Sequence, residues 1–242
     1  MTGWKLGRPG IVPPVLVPKF IRSGSFLRSS FQIMSHIFSD YGWINSWKRG
    51  RSVDAQGEPI PWFTYPAIDF IKQLDLRNLS VFEYGSGYST LFWAKRTKRV
   101  LSVETEKEWA EEISALAPPN AELIFTNRAI EAYANQILER GIFDIIVIDG
   151  TGDSRLRCCR IAPKHLASGG FIVLDNSDLW LESAAVLRNA DLIQADFTGL
   201  APLNSHWHTT SVFFSRQYSI KPLEGYQPHK SAAQPAEPWP LA

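Results

Sequence analysis

Val81-Phe82-Glu83-Tyr84-Gly85-Ser86-Gly87-Tyr88-Ser89-Thr90 is the stretch on which the reading of this chain turns. A short β-prone run breaks at two glycines, and Leu91, Phe92 and Trp93 follow. That pattern predicts a strand, a tight turn and a helix. Gly85 and Gly87 allow the backbone to bend sharply and let a ligand approach with no Cβ in the way. The helix that follows points its first N–H groups at whatever lies over the turn.

Working outward, the strand-then-helix pattern recurs. Further strands are expected at residues 100–104, 122–126, 143–148, 171–174, 192–197 and 211–215. The fourth run, 143–148, is continuously apolar, as suits a strand covered on both faces. Helices are expected at 89–96, 107–116, 129–140, 155–166 and 179–188; Pro118-Pro119 stops the second and Ser168-Gly169-Gly170 ends the fourth. Upstream, Pro66 opens a helix over 67–74 that puts Ile68, Ile71 and Leu74 on one face. This alternation predicts an α/β fold, a doubly wound and mostly parallel seven-stranded sheet. Such sheets bind ligands at the carboxyl ends of their strands, near the switch in strand order. Glu83, Glu104, Asn127, Asp149 and Asp175 all fall at those ends.

Three parts are expected. Residues 1–60 form an arm or lid, read as an extended segment, a short helix near Phe26 to Phe38, then a loop. Residues 61–218 carry the alternating pattern. Residues 219–242, with five prolines, form a flexible tail. Lysine plus arginine number 25 and aspartate plus glutamate 24, so the net charge of +1 gives no overall pull toward nucleic acid or anionic membrane. No basic stripe extends beyond Lys48-Arg49-Gly50-Arg51, and no nucleic-acid partner is expected. The apolar stretch 11–21 is interrupted by Pro13, Pro14 and Pro18 and is too short to cross a bilayer, so no integral membrane segment is expected. Cys158 and Cys159 are neighbours and poorly placed to pair; they read as reduced core residues, in keeping with a cytoplasmic protein.

The glycine turn lacks the third glycine of a dinucleotide fingerprint, since Thr90 stands three residues after Gly87. It has instead an acid two residues before Gly85. A carboxylate repels a pyrophosphate and attracts an ammonium or sulfonium. Seventeen residues past Gly87, Glu104 ends the second strand, where an acid accepts hydrogen bonds from ribose hydroxyls. With these residues in place, the chain resembles the class I methyltransferases that use S-adenosylmethionine. Glu83, Gly85 and Gly87 match the first motif of that family, with Ser89 in the place of a third glycine. Val103-Glu104 matches the second, and Asn127 is the nearest residue to the third, which touches adenine. The resemblance covers about residues 61–218 and implies a final antiparallel strand. It implies S-adenosylmethionine as cofactor, held by Glu83, Gly85, Ser86, Gly87, Ser89, Glu104, Asn127 and Asp149. In related enzymes the segment before the first strand folds over the cofactor, which adds Thr64 and Tyr65.

A second acidic group comprises Asp149 and, twenty-six residues on, Asp175-Asn176. Neighbouring strand tips lie roughly 5 Å apart, so these three side chains can converge on one magnesium, manganese or calcium ion. The spacing, with Leu179-Trp180 downstream, is similar to that of the cation-dependent O-methyltransferases of catechols and caffeoyl thioesters. Those enzymes carry a lysine base three residues after the first aspartate, where this chain has Gly152. Without a metal, Asp149 contacts the cofactor amino group or a water, and Asp175-Asn176 caps the next helix.

The connection before the last strand holds His206 and His208, candidate general bases alongside Asp149. Trp43, Trp47 and Trp62 precede the first helix and strand of the main domain and suit a lid or a homo-oligomer contact. The expected activity is methyl transfer to a small-molecule acceptor through oxygen. A non-catalytic binding or assembly protein on the same fold, and an NAD-dependent oxidoreductase, are the rival readings.

Overall fold

A computed structural model describes residues 24–233. The extended arm expected before residue 24 and the end of the tail, 234–242, lie outside the described residues. In chain order the elements are α1 (Gly24–Ser35), α2 (Trp43–Arg49), α3 (Tyr65–Lys72), β1 (Ser80–Tyr84), α4 (Tyr88–Ala94), β2 (Arg99–Glu104), α5 (Lys107–Leu116) and β3 (Ala121–Phe125). Then follow α6 (Ile130–Ala134), β4 (Phe143–Ile148), α7 (Gly152–Ile161), β5 (Leu166–Leu174), α8 (Leu181–Asn189), β6 (Ile193–Gly199) and β7 (His208–Phe214).

The strands form one seven-stranded sheet in the order β3-β2-β1-β4-β5-β7-β6. β1 to β5 are mutually parallel, with Val81 opposite Val100 on one side and Ile145 on the other. β7 runs antiparallel to both β5 and β6. The order reverses at β1, so the crevice of the switch point opens beyond the tips of β1 and β4.

Alternation along the strands builds two cores, one on each face of the sheet. Phe82, Tyr84, Leu101, Val103, Ile146, Ile148, Ile172 and Leu174 face residues of α6, α7 and α8, with Cys158 and Cys159 buried as free thiols. Val81, Val100, Ile145, Val147, Phe171 and Val173 face α3 and α4, through Ile68, Ile71, Phe92 and Trp93.

The departures from expectation have local causes. β5 starts at Leu166, so Ser168-Gly169-Gly170 lies inside a strand instead of ending a helix. Gly169 has φ +97°, and a Cβ on Gly170 would collide with the Asp144 carbonyl, beside the irregular register at Phe143/Ile145. The glycines serve a bulge. The helix expected at 129–140 shrinks to α6 and one 3₁₀ turn, Asn135–Ile137. Upstream, the loop expected after α1 contains a π turn, His36–Asp40, and α2. Beyond β7, Asp75 N–H donates to the Lys221 carbonyl (2.8 Å), Leu223 N–H to that of Gln73 (2.8 Å), and His229 N–H to Gln73 Oε1 (2.8 Å).

Candidate active site

A cavity of about 460 Å³ opens at the carboxyl ends of β1, β4 and β5. Of the residues expected to form a site, Ser86, Gly87, Ser89, Asp149, Asp175, Asn176 and His208 line it. Glu83 and Glu104 lie behind this lining and hold it in shape.

Glu83 is 1% exposed. Its Oε2 accepts from Thr90 Oγ1 (2.5 Å) and Ser102 Oγ (2.7 Å), while Oε1 is buried with no partner. Burial, only partly offset by the nearby Ser89 hydroxyl and the bonds from Thr90 and Ser102, pushes its carboxyl up to about 7. Gly85 has φ +99°, a region closed to most side chains, and a Cβ there would stand 3.0 Å from the Asp149 carbonyl oxygen. The turn and the β4 tip thus touch through backbone alone. Glu104 organises the turn: Oε2 accepts from Ser86 N–H (3.1 Å) and Ser86 Oγ (2.9 Å), and Oε1 from Thr105 N–H (2.6 Å) and Glu106 N–H (3.0 Å).

Across the cavity Asp175, 3% exposed, accepts from Thr210 Oγ1 at 2.5 Å. His208, also 3% exposed, holds Nε2 3.5 Å from Asp175 Oδ1, and its Nδ1 lies 3.2 Å from Asn204 Nδ2. Donation from the Asn204 amide to Nδ1 sets the tautomer with the proton on Nε2, facing the carboxylate. Burial pulls the imidazole pKa down, but Asp175, Asp178 and Asp149 together outweigh it, and the net shift is upward from 6.5. His208 is the first residue of β7, which is why it is buried. His206, two residues earlier, is exposed in the preceding turn and does not reach the cavity.

Asp149 is held by Arg155, whose guanidinium reaches Asp149 Oδ1 (3.0 Å) and the carbonyls of Asp175 (2.5 Å), Gly150 (3.2 Å) and Ile148 (3.4 Å). Burial and the nearby Asp175 carboxylate raise the Asp149 carboxyl above its ordinary range, against the pull of Arg155. These contacts do not fit the expected divalent-cation site. One oxygen of Asp149 is already paired with a guanidinium, Asp175 is bonded to Thr210 and faces His208, and no group of three acidic, histidine or cysteine side chains set to hold a metal occurs among the described residues. Gly152 also explains itself: a Cβ there would lie 2.6 Å from the Trp180 ring, so no lysine fits in its place.

Three other expected contacts lie elsewhere. Asn127 is exposed, and its Oδ1 accepts the Ala129 N–H ahead of α6. Thr64 is buried under β6 and β7: its N–H donates to Thr210 Oγ1 (3.0 Å) and its hydroxyl to the Phe197 carbonyl (2.8 Å). It therefore supports Asp175 through Thr210 without touching the cavity. Tyr65 packs on Tyr41, ring centroids 4.7 Å apart, in a separate pocket.

The walls of the site include Trp62, from the aromatic stretch expected to form a lid, together with Trp109, Arg51 and Asn204, which the sequence does not mark. Trp109 donates Nε1–H to the Ser86 carbonyl (2.8 Å), and Arg51 lies over its ring while bonding Glu112. Trp62 donates Nε1–H to Asn204 Oδ1 (3.1 Å), and Trp43 to the Asn204 carbonyl (2.9 Å). The aromatic count before residue 63 was the available signal; nothing in the spacing singled out Trp109.

No known family profile matches the chain, and no curated protein matches it in sequence. Solved structures do match. The precorrin-6y C5,15-methyltransferase of Geobacter metallireducens GS-15 superposes with a TM-score of 0.51 at 14% identity, over 62% of this chain and 87% of that one. The N-methyltransferase NodS of Bradyrhizobium japonicum WM9 gives 0.46 at 15% identity, over 57% and 86%. An rRNA methylase of Streptococcus thermophilus gives 0.44 at 16%, over 62% and 97%. At these identities the likeness is one of fold. The chain has the seven-stranded, mostly parallel Rossmann-like fold of the class I methyltransferases.

Proposed function

We propose that the protein transfers a methyl group from S-adenosylmethionine to a small-molecule acceptor, and that the acceptor atom is an oxygen. The observation that carries this reading is the buried Glu83 carboxylate, one oxygen without a partner, directly beneath the Gly85–Gly87 turn of a cavity walled by further carboxylates. An under-bonded buried acid calls for a cation above it, and the bare glycine backbone leaves room for one. Glu83 and Asp149 suit the ammonium of the cofactor. Glu104 suits its ribose, with a sugar hydroxyl replacing the Ser86 hydroxyl, the one ligand of Glu104 free to rotate away.

The bound cofactor supplies a methyl carbon already activated by its positive sulfur. The chain's own residues then align the acceptor and remove its proton. His208 is the base in this scheme. Its Nδ1, once the Asn204 amide turns away from it, would take the acceptor's hydroxyl proton as the methyl group is transferred, and the Asp175 carboxylate facing Nε2–H would orient and balance the resulting imidazolium. Trp62 and Trp109 help exclude water from the cavity.

The test is titration calorimetry of the full chain with S-adenosylmethionine, S-adenosylhomocysteine and NADH. Heat with the two adenosyl compounds and none with NADH is expected. Binding of NADH alone, or of none of the three, overturns the reading.

A further inference from the structure

The near-zero net charge hides a segregation. None of the 24 acidic residues precedes Asp40, whereas Lys5, Arg8, Lys19, Arg22 and Arg28 do. α1, before Asp40, and α2, just after it, contain no carboxylate, and Lys48 and Arg49 close α2. The same helices leave large apolar side chains in water. On α1 and the turn after it, Leu27 is 67%, Phe31 70%, Met34 47% and Phe38 36% exposed. Their spacing of four, three and four residues puts them in one stripe. On α2, Ile44 and Trp47 are exposed beside Lys48.

This apolar, cationic surface continues to the mouth of the cavity. Phe38 packs on Trp43, centroids 5.4 Å apart, and Trp43 stacks on Trp47 at 5.6 Å. Trp43 and Trp62 both bond Asn204, and Gly50, Arg51 and Ser52, which follow α2, line the cavity itself. Trp62 and Trp207 add exposed indoles near that rim, at 48% and 68%.

We propose that α1 and α2 seat the protein on an anionic lipid bilayer, with the cavity mouth held at the membrane surface. The apolar stripe enters the acyl boundary, the tryptophans sit at headgroup level, and Arg28, Lys48 and Arg49 meet lipid phosphates. The charge balance is what selects an anionic surface over a neutral one: α1 and α2 carry Arg28, Lys48 and Arg49 and no acid, and the one carboxylate between them, Asp40, is bonded by His36 Nδ1 at 2.6 Å. The proposal stands apart from methyl transfer, because its test reads binding alone.

The experiment is co-sedimentation of the full chain with vesicles of phosphatidylcholine, alone or with about one third phosphatidylserine. Binding to the anionic vesicles is expected, weakening with added salt and accompanied by a blue shift of tryptophan emission. Leu27→Ser/Phe31→Ser/Met34→Ser should abolish it. Arg28→Gln/Lys48→Gln, a change confined to exposed side chains, should weaken it by about thirtyfold. Equal binding to neutral vesicles, no binding to either, or undiminished binding by both variants overturns the proposal. So does sedimentation velocity showing that the stripe joins two copies of the chain and that the joined form ignores vesicles.

Discussion

Gly85→Ala tests the contact on which the cavity floor depends. Two costs are expected. Alanine must adopt φ +99°, and its Cβ must sit 3.0 Å from the Asp149 carbonyl oxygen and 3.3 Å from Gly150 Cα. Holding a non-glycine residue in a sparsely populated backbone region costs about 1–3 kcal/mol, and forcing a methyl into a packed backbone junction adds about 1–3 kcal/mol. Gly141 separates the two. Its φ is +90°, yet a Cβ there meets nothing within 4 Å. Gly141→Ala therefore carries the strain alone, about 1–2 kcal/mol, and Gly85→Ala should exceed it by about 2 kcal/mol. Urea unfolding followed by the fluorescence of the nine tryptophans measures both. Cofactor affinity should fall with Gly85→Ala and hold with Gly141→Ala. Equal destabilisation by the two substitutions would show that the turn does not press on the β4 tip, and the account of the floor would fail.

Glu83→Gln should stabilise the protein at pH 8 by about 2 kcal/mol while weakening S-adenosylmethionine binding. The wild-type carboxyl titrates at about 7 folded against about 4.5 unfolded, so its stability contribution is full below 4.5 and declines as pH rises to 7; a urea series from pH 4 to 8 in which the variant shows the same slope as wild type refutes this. For His208 the acid limb of kcat/KM should fall at a pH above 6.5, and Asp175→Asn should move it downward as the neighbouring negative charge is lost; an unmoved limb removes the Asp175–His208 pair from the mechanism. Glu104→Gln should lower cofactor affinity about tenfold or more, with the fold retained by circular dichroism; unchanged affinity means that Glu104 serves only the Ser86 turn.

Much of the fold is legible in the sequence because the strands are apolar runs separated by amphipathic ones. β4 and α5 fall at the residues the pattern gives, and the Gly85–Gly87 turn places the switch point. What escapes is set by tertiary contact. Ser168-Gly169-Gly170 has the composition of a helix stop, but Gly170 answers to the Asp144 carbonyl in the neighbouring strand and Gly169 to a φ of +97° beside Ser219. His206 and His208 look equivalent in sequence. Only the start of β7 separates them, burying one beside Asp175 and leaving the other in water. Thr64 and Tyr65 stand before the first strand, where a cofactor contact is expected by position, yet both point into packing. Trp109 has no local mark at all, because its role depends on α5 swinging its indole against Ser86.

Arg155 shows how one substitution of chemistry follows from another. Parallel packing of β4 and β5 forces Asp149, half-buried, and Asp175, buried, to neighbouring strand tips, where the two carboxylates repel each other. Something positive must stand beside them. In this chain it is a guanidinium anchored one helical turn away, at the start of α7, which bonds one carboxylate and three strand-end carbonyls at once. A planar five-donor cation can satisfy such a divergent set of acceptors, whereas a lysine could not. With Arg155 turned inward and Trp180 packed over Gly152, the face where a metal-assisted site would place its base is filled. Under the proposed function, deprotonation of the acceptor is then assigned to the opposite wall, where the buried His208 stands between Asn204 and Asp175.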